Sequence, residues 1–182
     1  MRIVRWAAEG HNGLEHLVVN ETKGGIVADG VVIGDRFGRK YGIRYTVQAD
    51  RDWVVTGASV EVLGGGRVAL LSNRQGNWSD ADGTPLGRLT GCVDVDISAT
   101  PFTNTLPISR LQLSPGAREV LKVVYIRIPE LRLDVVEQAY TCLESAAKYR
   151  HEGLTSGFET VLDVDEDGLV VRYPSLFVRM PE

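Results

Sequence analysis

The sequence is poor in the residues that usually declare a chemistry. Its 182 positions include two cysteines, three histidines and two methionines. Cys92 and Cys142 are too far apart to form a paired-ligand motif, and they read as reduced, buried fillers. His11 and His16 flank Glu15 in HNGLEH, which superficially suggests a zinc site. Their separation of five does not align two imidazoles on a helix, however, and Asn12-Gly13 would break one. No metal is therefore expected, and no cofactor. The chain has no run approaching the roughly 20 apolar residues of a membrane span. The start, MRIVRWAAEGHNGLEH, carries a charge at Arg5 and polar residues from Glu9, which leaves no core for a signal peptide. The expected location is the cytoplasm. A concentrated basic face is missing too. The net charge is −4, and RFGRKYGIR alternates its cations with apolar residues as one side of a strand would, so no nucleic-acid partner is expected.

Several fragments stop short of a motif. GGGRVA follows the strand-like VEVL, but only RVALLSNR separates it from the next turn, so it opens no helix to face a pyrophosphate and reads as a hairpin. DVDEDG matches the first half of a calcium loop, yet Pro174 occupies the place of the closing bidentate glutamate. A tight turn carrying acids is the reading. There is no GxSxG elbow and no P-loop.

What the sequence does have is alternation. In YGIRYTVQAD the apolar positions Tyr41, Ile43, Tyr45, Val47 and Ala49 interleave with Arg44, Thr46, Gln48 and Asp50, the pattern of a half-buried strand. FETVLDV repeats it. Turn signals at Lys23-Gly24-Gly25, Gly64-Gly65-Gly66, Asp80-Ala81-Asp82-Gly83, Ser114-Pro115-Gly116 and Glu166-Asp167-Gly168 divide the chain into strand-length pieces. This spacing predicts a mainly β fold, a long antiparallel meander in a single domain spanning 1–182. In REVLKVVYIRI, Val120, Val124, Ile126 and Ile128 point one way and Leu121, Val123 and Tyr125 the other, which predicts a strand covered on both faces. So long a sheet must curl. One short helix is expected over 136–149, where Val135, Ala139, Cys142, Leu143, Ala146 and Ala147 fall near helical spacing, although YTCLES also fits a strand.

The most distinctive stretch is GCVDVDISATPFTNTLPISRL, residues 91–111. On a strand, Val93, Val95 and Ile97 share one face and Asp94 and Asp96 the other, the two carboxylates about 6 to 7 Å apart. Three readings stand side by side: solvent-facing acids, acids anchored by Arg110 or by backbone N–H groups, or acids lining a ligand site. Thr100, Thr103 and Asn104 follow in a segment expected to be extended and stiffened by proline; their ordinary role is to stabilise turns, and their other role would be to bond a ligand. Trp53 and Trp78 offer flat surfaces to a sugar ring or lipid chain, with core packing as the alternative.

This stretch, together with YTVQADRDW, NWSDADG, VVYIRIPEL, QAYTCL and DEDGLVVRYPSLFVR, resembles the bacterial family of putative glycolipid-binding proteins, formerly a domain of unknown function. The resemblance implies a sheet curled into a half-barrel, similar to lipoprotein carriers of the Lol type. The function it implies is non-enzymatic binding of a lipid or glycolipid, in an apolar concave cavity with a polar rim. Candidate ligand-binding residues are Asp94, Asp96, Thr100, Thr103, Asn104, Arg110, Trp53 and Trp78. Two other readings stay open. One is a hydrolase acting on a glycosidic or ester bond with Asp94 and Asp96, whose spacing is permissive, glycosidase pairs standing about 5 to 5.5 Å apart when retaining and about 6.5 to 9.5 Å when inverting. The other is a structural homodimer formed through a sheet edge or the concave face.

Overall fold

The computed structural model describes residues 1–36 and 38–181. Its first seven strands are β1 (Arg2–Ala8), β2 (Gly13–Thr22), β3 (Gly25–Arg36), β4 (Arg39–Ala49), β5 (Val55–Val62), β6 (Arg67–Ser72) and β7 (Trp78–Asp80). Seven more follow: β8 (Asp94–Ile97), β9 (Arg118–Arg127), β10 (Arg132–Glu144), β11 (Lys148–Gly153), β12 (Phe158–Val164), β13 (Val170–Tyr173) and β14 (Phe177–Arg179). All belong to one sheet, ordered β7-β6-β5-β4-β3-β2-β1-β14-β13-β12-β11-β10-β9-β8. Each half is a meander. The halves join where β14 returns to pair with β1, with Trp6 opposite Arg179. The sheet curls but stays open, with β7 and β8 as its edges.

Local chemistry accounts for most of these strands. In β4, Ile43, Tyr45, Val47 and Ala49 are buried while Arg44 and Gln48 are exposed, as a period of two requires. GGGRVA forms the β5–β6 hairpin, with Gly64 at φ 73°. The acids of DVDEDG serve their own turn: the Asp165 carboxylate accepts the N–H groups of Asp167 and Leu169 and pairs with Arg2 and Arg179. Gly30 has a particular task. A Cβ there would lie 2.1 Å from the Tyr45 ring, its cross-strand neighbour, so only glycine lets that ring lie flat across β3.

Three expectations need correction. No helix forms over 136–149: β10 and β11 pair with each other and with β9 and β12, and Ala146 in the intervening turn adopts φ 51°, which interrupts any helix. Its helically spaced apolar residues are equally well used on the two faces of a strand with neighbours on both sides. The meander is not wholly antiparallel either, because β8 runs parallel to β9, Asp94 opposite Val123 through Ile97 opposite Ile126. Parallel neighbours need a crossover of a dozen or more residues, and the stretch read as extended supplies it. That stretch is helical: a 3-10 turn, Phe102–Asn104, runs into α1 (Thr105–Leu111). Pro107 lies in the first turn of α1, where N–H groups have no intrahelical partner to lose.

The crossover is the centre of the molecule. From Ala99 to Ile108 every residue is buried. Phe102 and Leu106 join a core cluster with Trp6, Leu17, Tyr45 and Val60, while Ile108 joins a second cluster with Tyr140, Leu162 and Tyr173. Fully burying Phe102 and Leu106 contributes about 1.5–3 kcal/mol each. β9 divides the two clusters, with Val124 and Ile126 in the first and Leu121 and Val123 in the second, the two-sided burial expected of it except at Val120, which is exposed near its start. Among the described residues no helix is long and apolar enough to cross a membrane.

Candidate functional site

A cavity of about 520 Å³ lies between residues 96–104 and the strands that curl past them, chiefly β9 to β14. Its lining runs from buried to exposed side chains. Thr100, Asn104, Gln138 and His151 are buried, and Asp96 is half-buried beside them. Tyr41, Tyr125, Val136, Leu176 and Phe177 are half-buried, and Phe158 is 40% exposed. These buried polar groups form the floor, with Ile97 and Tyr173 buried among them; the other aromatic and aliphatic groups form a collar, and Glu137, Thr155 and Ser156 are exposed.

The crossover positions the floor. Asp96 Oδ1 accepts from the Thr103 hydroxyl at 3.0 Å and Oδ2 from Gln138 Nε2 at 2.6 Å, a bond reaching across from β10. Asn104 accepts from the Tyr140 hydroxyl at 2.9 Å and donates to the Pro101 carbonyl at 3.0 Å. His151, from β11, has its Nδ1 3.2 Å from the Tyr173 hydroxyl and is surrounded by Tyr140, Phe158 and Tyr173, with ring centroids 4.9, 6.2 and 6.1 Å away. Burial holds the imidazole below its usual pKa, against the opposing pull of Asp96 and Glu152. Its Nε2 is buried and has no hydrogen-bond partner.

Beneath the floor, Thr100 ties the crossover to the other half of the sheet. Glu15 Oε1, from β2, accepts from the Tyr45 hydroxyl at 2.5 Å and from Thr100 Oγ1 at 2.7 Å. Burial pushes the Glu15 pKa up to about 8, the two hydrogen bonds pulling weakly the other way. Tyr45 is itself held well above its ordinary pKa, chiefly by burial, so the phenol is the donor. Glu15 is accordingly a neutral acid at pH 7.

Of the residues singled out in sequence, Asp96, Thr100 and Asn104 line the cavity, and Thr103 supports Asp96 from behind. Asp94 and Arg110 lie outside the lining and pair with each other at 2.6 Å. Burial raises the Asp94 pKa, and Arg110 opposes the shift. Asp94 and Asp96 therefore face different surroundings, not a common space. Trp78 is buried in the larger core and donates to the Cys92 carbonyl at 2.9 Å; Trp53 packs half-buried against the same core. Val93 packs on the second cluster, away from Val95 and Ile97. Gln138, His151 and Glu15 escaped sequence reasoning. Each lies two positions from apolar residues on its strand face, Gln138 from Val136 and Tyr140, His151 from Tyr149 and Glu15 from Leu17, a weak signal of facing inward.

An open sheet curled around a buried crossover, with a polar-floored cavity on its concave side, defines a half-barrel architecture with a ligand-sized recess. The chain belongs to the family described as "Putative glycolipid-binding", whose profile matches residues 3–179. It is similar to the crystal structure of a DUF1089 family protein from Pseudomonas aeruginosa, with 38% identity over 92% of each chain and a TM-score of 0.84. A search among curated proteins finds no match.

Proposed function

We propose that this protein binds a lipid or glycolipid in the cavity between the crossover and β9–β14, without transforming it. The observation that carries this reading is the convergence, in one recess, of a hydrogen-bonding floor and an apolar collar, the two chemistries of an amphiphile. At about 520 Å³ the recess falls within the range of about 300 to 1,000 Å³ typical of small-ligand sites. The family description points the same way. Binding without hydrolysis is favoured because Asp94, the second carboxylate of the DVD pair, is engaged by Arg110 outside the cavity and can act as neither acid nor base there.

Native mass spectrometry and thermal unfolding test this together. A ligand present at 100 times its Kd stabilises by about 2.7 kcal/mol, which for a chain of this length is a rise in Tm of roughly 5–10 °C. A panel of glycolipids and phospholipids should contain members that produce such a shift and survive as a complex in the spectrometer. A panel with no shift, and a purified protein carrying no lipid, would sink the proposal.

A further inference from the structure

Which end of an amphiphile enters, and what chemistry that end carries, can be read from the floor. Depth gives the orientation. Thr100 is 3% exposed and Asn104, Gln138 and His151 are each 5% exposed; Ile97 and Tyr173 are buried beside them, while Tyr41, Val136, Phe158, Leu176 and Phe177 lie nearer solvent. A polar group entering first could partner His151 Nε2 and the remaining lone pairs of Asp96; an alkyl chain entering first would leave them without compensation, at a cost of about 1–3 kcal/mol for each one left unpaired.

The pattern of unmet hydrogen bonds gives the chemistry. His151 lines the cavity; its Nδ1 lies 3.2 Å from the Tyr173 hydroxyl, and its Nε2 is buried and has no partner. A neutral imidazole offers one donor and one acceptor nitrogen, so Nε2 suits a hydroxyl, which can play either part. Asp96 accepts one bond on each oxygen and keeps lone pairs on both. Charge then excludes anions. Arg127 is the one lysine or arginine among the described lining residues, and it stands towards solvent, its side chain 43% exposed and 3.3 Å from Asp134. A phosphate at the floor would therefore meet the Asp96 carboxylate with no cation beside it.

We propose that the deep end of this cavity is a hydrogen-bonding site for an uncharged, polyhydroxylated group that enters head first, contacting Asp96 and His151 Nε2, with any alkyl chain left at the collar of Tyr41, Phe158, Leu176 and Phe177. This rests on the binding function proposed above and adds the headgroup class and the orientation. The polyhydroxylated group is either a free sugar or the head of a glycolipid.

The chain's three histidines make the test direct, because His151 and His11 line the cavity and His16 does not. Histidine-labelled protein is titrated with methyl and octyl β-glycosides of glucose, galactose and mannose, the octyl compounds below their micellar concentrations, and with octyl phosphate. At least one sugar is expected to move the His151 side-chain resonances in both its methyl and its octyl form and to leave His16 unmoved, while octyl phosphate leaves His151 in place. An octyl glycoside more than tenfold tighter than its methyl counterpart assigns the site to a glycolipid head; equal affinities assign it to a free sugar. His151→Phe should weaken the methyl glycoside at least tenfold and His151→Gln less; Gln138→Met, which frees Asp96 from its β10 partner, should also weaken it if His151→Phe does not fold. Octyl phosphate binding as tightly as the best octyl glycoside, or octyl glycosides moving His11 but never His151, would overturn the inference. If lipids raise the Tm while no methyl glycoside reaches His151, the orientation is wrong and the binding function survives; if nothing binds, both fall.

Discussion

Glu15 shows how much a single buried group can decide. Its carboxyl holds Thr100, and through it the crossover, against Tyr45 on the opposite half of the sheet. A carboxyl with a folded pKa of about 8 against 4.5 in the unfolded chain favours folding fully below pH 4.5, and that contribution is lost as pH rises to about 8. The loss amounts to about 4 kcal/mol. His151, depressed by burial, works in the opposite direction: it favours folding above its ordinary pKa and loses that contribution as pH falls. The difference between wild type and Glu15→Gln isolates the glutamate. Urea unfolding at several pH values should show wild-type stability falling relative to Glu15→Gln between pH 5 and 8, and parallel curves would disprove a neutral Glu15. Asp94 presents the opposite case, a buried carboxylate kept company by a guanidinium. Arg110→Ala should cost about 3–5 kcal/mol by leaving it alone, while Arg110→Leu with Asp94→Leu should recover most of the loss, because a buried ion pair contributes little beyond its own desolvation. The role of Glu15 was not legible in sequence, where it looked like part of a histidine motif; anchoring by Arg110 was one of three readings of the DVD acids, and nothing in the sequence assigned it to Asp94 and not to Asp96. Burial of a carboxylate is set by residues dozens of positions away.

At the scale of elements, the strands were readable and the crossover was not. Alternation in YGIRYTVQAD and FETVLDV, with glycine at the turns, carries the meander because sheet periodicity is a local signal. ATPFTNTLPI has no such period. It is buried on all sides by the curled sheet, so its polar side chains point at partners fixed elsewhere: Thr103 at Asp96, Asn104 at Tyr140, Thr100 at Glu15. The same surroundings explain two sensitive positions outside it. Tyr140→Phe should leave the Asn104 carbonyl without its donor and cost about 1–3 kcal/mol, measured by chemical denaturation. Gly30→Ala should push the Tyr45 ring off Glu15, costing about 1–3 kcal/mol and removing part of the pH dependence assigned to that acid. Unchanged stability in Gly30→Ala would mean that the ring has room the structure does not display.

For the whole molecule, the two meanders share one insert. β2 and β4 grip the crossover through Glu15 and Tyr45, and β10 grips it through Tyr140 while Gln138 bonds Asp96 on the adjoining β8. Neither half can keep its core once the crossover leaves, so the halves should unfold together. Trp6, Trp53 and Trp78 all lie in the first half and His151 in the second, which provides two independent probes. Tryptophan fluorescence and the His151 resonances should lose their native values at the same denaturant concentration. Separated midpoints would show that β1–β7 and β9–β14 are distinct cooperative units. What the sequence determined by itself was the β class, the succession of hairpins and the two-faced burial of β9, because each is written in nearest-neighbour alternation and turn chemistry. What only the tertiary structure decided was that a polar, proline-containing stretch becomes a buried helix, that β8 lies parallel to β9, and that Asp96, Asn104, Gln138 and His151 meet at one floor. Those outcomes depend on the curl of the sheet, which brings together residues whose separation along the chain carries no local trace of their contact.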